Sequence, residues 1–224
     1  LYGFSIKSYL GSKPTLFNAS KKSNIIYKIK PDIDPDNIVL LNETGTYTDR
    51  MQWLIENGYT LEFHRMKDVV FSTNLELIDS RMPEIIGNLI LDKFVSKESN
   101  LNVLLDKLSV INPCNFNLEV NELIYRYKLK RLLVDIALGM TPAKIWDGIQ
   151  NATGGFIVVK RDGSLVCFHL YNFYQLHDYL INHTKIDAPD SNPHRCDYGR
   201  ILSANEINEP EGTFIQLNFQ IRFT

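Results

Sequence analysis

Ser5 and Lys7 place a hydroxyl and an ammonium two positions apart near the start of the chain, with apolar Phe4 and Ile6 alternating between them. That alternation is the two-residue period of a half-buried strand, so the two polar groups share a face about 7 Å apart. On the exposed face of an otherwise buried strand, such a pair suits metal-assisted hydrolysis of a phosphate ester. The ammonium would steady an attacking water as hydroxide, or the extra negative charge of a five-coordinate phosphorus. By spacing alone, an edge strand whose polar face meets water is the plainer reading.

The elements around the pair follow from periodicity and turn chemistry. Residues 3–8 and 24–29 read as two strands separated by the breaker Gly11-Ser12-Lys13-Pro14. Pro31 and Pro35 interrupt regular structure over 31–36. Thr48-Asp49 can cap a helix that runs to about Asn57 and closes at Gly58. Residues 60–65 alternate weakly as a strand, and 82–95 and 101–108 read as helices, with Pro83 in a first turn. The clearest helix is 119–138, apolar at Val120, Leu123, Ile124 and Tyr127 and again at Leu129, Leu132, Leu133 and Ile136. Gly139 ends it, and Thr141-Pro142 begins a short helix reaching about Gly148. Residues 156–160 and 164–171 form a hairpin around Asp162-Gly163. An amphipathic helix follows through Phe173, Leu176, His177 and Leu180, then a polar loop at 186–200 and a closing strand at 214–223. The expected fold is mixed α/β (α+β) with a helical middle and a hairpin-rich C-terminal part. The division falls into 1–150 and 151–224, the second packed on the same domain.

Composition bounds the partners. The chain has 224 residues, 44% hydrophobic and 22% charged, with a formal net charge of −2. That is enough to bury a core. The total argues mildly against nucleic-acid binding, but binding depends on where charge sits. Lysines gather early (Lys7, Lys13, Lys21, Lys22, Lys28, Lys30) and acids follow at Asp32, Asp34 and Asp36. There is no apolar run long enough to span a membrane and no secretory signal pattern. Cys114, Cys167 and Cys196 are widely spaced without a CxxC pair, which disfavours zinc and redox sites and fits a reducing, cytoplasmic compartment. Cys167, in an apolar strand, is expected to be a small buried hydrophobe. The chain opens at Leu1 without an initiator Met and reads as a C-terminal fragment of a longer protein.

Larger blocks of sequence add to this. Gly3-Phe4-Ser5-Ile6-Lys7-Ser8, Leu10-Gly11, Pro14-Thr15-Leu16 and Asn18-Ala19-Ser20 form one set. Gly154-Gly155-Phe156-Ile157-Val158-Val159-Lys160, Asp162-Gly163, His169-Leu170-Tyr171-Asn172, Tyr179-Leu180, Asn182, Thr184-Lys185 and Leu217-Asn218-Phe219-Gln220-Ile221-Arg222-Phe223 form a second. In this order they resemble the HpaII family of type II restriction endonucleases across nearly the whole chain, with a less distinctive middle at about 45–150. The resemblance implies a restriction-endonuclease-like core, Mg²⁺-dependent hydrolysis of double-stranded DNA at a CCGG-type palindrome, action as a homodimer, and a companion DNA methyltransferase. It makes Lys7 the leading catalytic residue and puts Ser5 in the place of the acid of an acid-x-Lys triplet. Relatives with Ser there recruit a Glu from a later helix. Here residues 17–24 hold no acid, and nothing selects among Glu43, Asp49 and Glu56. The partner Asp is expected upstream of Ser5, where none of four residues is acidic, so the metal ligands are unknown and this fragment is expected to be inactive.

The remaining candidates concern DNA contact. Asn18, Ser20 and Asn24 could meet bases or phosphates, or serve local turns. Lys13, Lys21 and Lys22 suit phosphates better than bases, or are plain surface lysines. Arg195 and Arg200, in or beside the polar loop, are candidate guanine readers. Arg126, Lys128, Lys130 and Arg131 could lie along the DNA backbone, though a solvated helix face is the more usual role. His64, His169, His177 and His183 read as structural. The competing functions are a non-catalytic DNA-binding regulator of helix-turn-helix type over 120–149 and an interaction domain without chemistry.

Overall fold

The computed structural model describes residues 6–8, 13–148, 155–169, 173–192 and 194–224. Within them the order is β1 (Ile6–Ser8), β2 (Thr15–Phe17), β3 (Asn24–Lys30), α1 (Pro35–Thr44), α2 (Tyr47–Glu56), β4 (Thr60–Met66), α3 (Val69–Ile78), α4 (Met82–Ser96), α5 (Leu101–Ile111) and α6 (Ile124–Ala137). There follow β5 (Gly155–Val159), β6 (Leu165–His169), α7 (Phe173–His183), β7 (Thr184–Asp187), β8 (Ile201–Ser203), β9 (Thr213–Asn218) and β10 (Gln220–Phe223). The fold is mixed α/β.

Three sheets result, with strand orders β1-β5-β6, β2-β10-β7 and β4-β3-β9-β8. The first pairs β1 parallel to β5 and carries the expected β5–β6 hairpin. The other two share one run of chain. β9 and β10 are continuous except at Phe219, whose N–H donates to Ser23 O at 3.2 Å instead of to a ladder partner. On the N-terminal side, the 3₁₀ turn Lys21–Ser23 likewise joins β2 to β3. Both sheets change direction at this pair of crossings, so strands from the two ends of the chain interleave around one core.

α4 backs the larger sheet. Its Met82, Ile85, Ile86, Leu89 and Ile90 are fully buried. Gly87 is required where helix meets strand, because a Cβ there would lie 2.2 Å from the Phe63 ring of β4. The Tyr27 hydroxyl of β3 donates to the Gly87 carbonyl at 2.7 Å, which satisfies a polar group in a fully buried site.

Several expectations change. Pro35 starts α1 rather than blocking it, since its fixed φ and missing N–H suit a first turn capped by Asp34. α2 is capped by Thr46, in a capping box with Asp49, not by Thr48. α6 starts at Ile124, five residues later than its apolar pattern suggests, because 117–123 are held in turns by Asn117 and Asn121 side chains. Residues 140–148 contain no helix: Asn74, buried in α3, takes up the Thr141 and Lys144 carbonyls and the Trp146 N–H, fixing that stretch as irregular chain. The helix-turn-helix alternative loses its recognition helix with it. Cys167 is exposed, on the outer side of the hairpin, while Cys114 and Cys196 are buried. The expected closing strand is two strands, and α1, α3, β2, β7 and β8 were not anticipated, β7 taking up the start of the expected 186–200 loop.

Candidate nucleic-acid interface

The crossing of the two sheets is lined with polar side chains in a setting otherwise apolar. Asn24, Asn218, Gln216 and Ser23 are all at most 1% exposed. Asn218 Nδ2 donates to Ser20 O at 2.8 Å and to Asn24 Oδ1 at 2.5 Å. Asn24 Nδ2 donates in turn to Cys196 O at 2.8 Å and Asp197 O at 2.9 Å. Gln216 Nε2 donates to the same Asp197 carbonyl, while the Gly199 N–H donates to Gln216 O at 2.7 Å. Buried amides are costly unless paired, and here Asn24 and Gln216 spend donors on carbonyls of a single loop, while Asn218 ties Asn24 to the Ser20 carbonyl. Gln216 Oε1 is the exception among them, buried without a hydrogen-bond partner among the described residues.

The same loop is fixed from its other side. Arg50, buried in the first turn of α2, donates to Gly199 O at 2.5 Å through Nε, and to Leu41 O at 3.0 Å and Gly45 O at 2.6 Å through Nη1. Burial lowers its pKa, Asp49 opposes that shift, and the charge of Arg200 adds to it. The Tyr198 ring packs with Tyr47 at 5.1 Å and Phe94 at 5.8 Å, and its hydroxyl, pushed far up by burial, donates to Pro189 O at 2.5 Å. Gly199 has φ +80°, and a Cβ there would meet the Tyr47 side chain at 2.2 Å. Residues 196–199 are thus held at four consecutive positions. A polar loop read from composition is a rigid one in the fold.

What the loop presents is basic. Arg195 and Arg200, at its two ends, are exposed. Lys21 and Lys22 emerge from the 3₁₀ turn beside it, capped by Ser20, whose Oγ accepts from the Lys22 N–H at 3.2 Å. Lys67, just past β4, is anchored by donating its N–H to Asn24 O at 2.9 Å, and its ammonium lies 3.7 Å from Asp197. Lys22 lies 3.8 Å from Asp68, and Arg200 pairs with Glu206 at 2.6 Å.

Of the candidate residues, Ser20, Lys21, Lys22, Arg195 and Arg200 come together here, with Asn24 as the buried link. Asn18 is exposed two residues before the turn, and Lys13 is exposed before β2, apart from the loop. Lys7 lies on β1 at register with Val158, which is fully buried; its side chain, and all of Ser5, fall outside the described residues. Asp49 is engaged in capping α2, and Glu56 accepts from Gln52 at 2.8 Å. Among the described residues no three His, Cys, Asp or Glu side chains gather to hold a metal ion.

The blocks of sequence that meet at this crossing, Asn18–Ser20 and Leu217–Phe223, lie at opposite ends of the chain. A family model described as HpaII restriction endonuclease matches residues 1–223. The chain belongs to the HpaII restriction endonuclease family. The type II restriction enzyme HpaII of Haemophilus parainfluenzae is 41% identical over 221 residues, covering 99% of this chain and 60% of that protein. The chain therefore spans about 60% of the length of the curated relative it matches. No solved structure matches it.

In this HpaII-family chain, sequence reasoning overlooked Arg50, Lys67, Gln216 and Asn218 as contributors to the interface. A signal existed for two of them: Gln216 and Asn218 are amides inside a strand whose other positions are apolar, and a two-sided buried strand tolerates such groups only with partners. Arg50 and Lys67 carry no local signal of this role, because their partners in the loop are about 150 and 130 residues away in sequence.

Proposed function

We propose that this chain belongs to a type II restriction endonuclease that cuts double-stranded DNA at a CCGG-type palindrome with Mg²⁺. It would act as a homodimer in the cytoplasm beside a companion DNA methyltransferase. The observation that carries the DNA-binding part is the loop 194–200: pinned by Asn24, Gln216 and Arg50, it offers Arg195 and Arg200 at its ends and lies beside Lys21, Lys22 and Lys67. Rigid presentation of cations reduces the ordering cost of binding a polyanion. Family membership supports the hydrolytic part.

Within that reading Lys7 is the catalytic ammonium and Ser5 stands at the triplet's acid position. Mg²⁺, when bound, supplies an acidified water near the scissile phosphate. Lys7 stabilises negative charge developing on the phosphoryl oxygens, Arg195 addresses guanines, and Arg200 contacts the DNA beside it. Asn18, Ser20, Lys13, Lys21 and Lys22 meet sugar and phosphate. The test is single-turnover cleavage of a CCGG duplex by the full-length protein and its Lys7→Ala variant. Wild type should give double-strand cuts, and the variant should be slower by about 100-fold or more. Binding without any cutting by the wild type overturns the nuclease reading, and a near-normal Lys7→Ala rate overturns the role of Lys7 alone.

A further inference from the structure

Lys67 is the cation that sequence reasoning passed over, and its surroundings are unusual for a surface lysine. Its backbone is fixed to Asn24 at the head of β3, so the side chain starts from a set position. The side chain is only about one-third exposed, and its ammonium sits 3.7 Å from Asp197. Burial lowers its pKa, Asp197 opposes that, and the like charges of Lys21 and Arg200 lower it further. Lys21 and Arg200 thus both lie near enough for their charges to act on Lys67 in front of the loop.

The carboxylates nearby are already engaged. Glu206 uses Oε1 for Arg200 and Oε2 for the Ser203 N–H at 2.8 Å and the Ser203 hydroxyl at 3.1 Å. Asp68 Oδ1 caps α3 through the Val70 and Phe71 N–H groups, and its Oδ2 reaches Lys22 only at 3.8 Å. Asp197 is the remaining counter-charge, and its backbone is held by Asn24 and Gln216 at φ +49°. The result is a fixed surface point where positive charge exceeds what the neighbouring acids neutralise. An anion placed there relieves repulsion as well as gaining attraction.

We propose that Lys67, together with Lys21 and Arg200, forms a phosphate seat that anchors the DNA backbone at the edge of the 194–200 loop. Two of the three groups are lysines, compact point charges without the planar fork that reads a base edge, so the seat sets register and affinity rather than sequence. This rests on the DNA-binding reading above and names the group within it that holds the backbone.

The test is equilibrium binding of the full-length protein to two duplexes, one with and one without CCGG, between 50 and 200 mM salt and without divalent cation. Lys67→Gln should weaken both duplexes by the same factor and reduce the slope of log affinity against log salt by about 1. Over that range the variant should lose about threefold less affinity than wild type does. Lys21→Gln, at an exposed turn position, should act in the same direction, and Lys67→Arg should restore the slope. Lys30→Gln is the control, because Lys30 pairs with Glu62 at 2.6 Å at the far end of the same strand and should leave the slope alone. An unchanged slope in both Lys67→Gln and Lys21→Gln, or a loss confined to the CCGG duplex, overturns the seat. Wild type that binds neither duplex overturns the DNA-binding reading itself.

Discussion

Helix α6 and the 194–200 loop with its neighbours carry comparable basic charge and use it differently. On α6, Arg126 pairs with Asp106 of α5 at 3.0 Å and also contacts Asn102. Lys130 pairs with Asp178 of α7 at 2.6 Å. Lys128 pairs with Asp79 at the end of α3 and lies over the Phe116 ring at 5.1 Å. Three cations thus tie one helix to three others. At the loop, the lysine pairs are loose, at 3.7 and 3.8 Å, and neither Lys21 nor Arg195 has an ion pair among the described residues. Apart from the exposed Arg200–Glu206 pair at 2.6 Å, the tight hydrogen bonds here lie beneath the surface and hold backbone, leaving the lysines and Arg195 to face outward. Charge consumed in packing helices is not available to a ligand, so the count of basic residues in a segment says little about binding until its partners are known.

The sharpest way to break this contrast is to remove the buried clamp. Arg50→Met keeps much of the side-chain volume and deletes the donors to Gly199, Leu41 and Gly45 carbonyls. We expect a stability loss of about 2–4 kcal/mol in urea unfolding, since buried acceptors are left unpaired, and new protease sensitivity within 194–200. Arg50→Lys should recover little, because a single ammonium lacks the guanidinium fork that spans these carbonyls. A loss under about 0.5 kcal/mol would mean the loop holds its shape without the clamp.

The opposite arm tests α6. Lys130→Gln removes one partly exposed pair, and such pairs are worth about 0–1 kcal/mol. We expect a stability change within that range and a DNA salt slope equal to wild type. A slope reduced by about 1 would show that α6 meets phosphate and would erase the distinction between the two regions.

Most of the scaffold was legible because its signals are local. The apolar spacing through Leu129, Leu132, Leu133 and Ile136 located α6, and Asp162-Gly163 located the hairpin. The errors arose where a distant residue decides. Thr141-Pro142 has the local chemistry of a helix start, but Asn74 captures the carbonyls and N–H that a helix would use. For the interface, Arg200 and Lys21 could be picked out by type and place. Lys67 could not, because its role depends on Asn24, brought beside it by the β3–β4 pairing, and on Asp197, brought there by the Asn24 and Gln216 amides. The amides Gln216 and Asn218 were readable as anomalies in a buried strand, but their partners, Asp197 for the one and Ser20 and Asn24 for the other, were not.

The smallest effect concerns whether Arg200 is a structural cation like those of α6 or one held in reserve. Burial alone would raise the Glu206 carboxyl, but the Ser203 N–H and Arg200 together bring it below its ordinary value of 4.5. A carboxyl lowered on folding adds stability that is fully present above its unfolded pKa and is lost as pH falls through the folded one. The Tm difference between wild type and Glu206→Gln should therefore be constant above about pH 5 and shrink as pH drops below about 4.5. Both partners are more than one-third exposed, so the difference should be small and screened by salt. If Arg200 is held in reserve, Glu206→Gln should also strengthen DNA binding at neutral pH, because it frees a cation beside the loop. Unchanged or weaker binding would place Arg200 with the pairs of α6, holding the fold rather than facing the ligand.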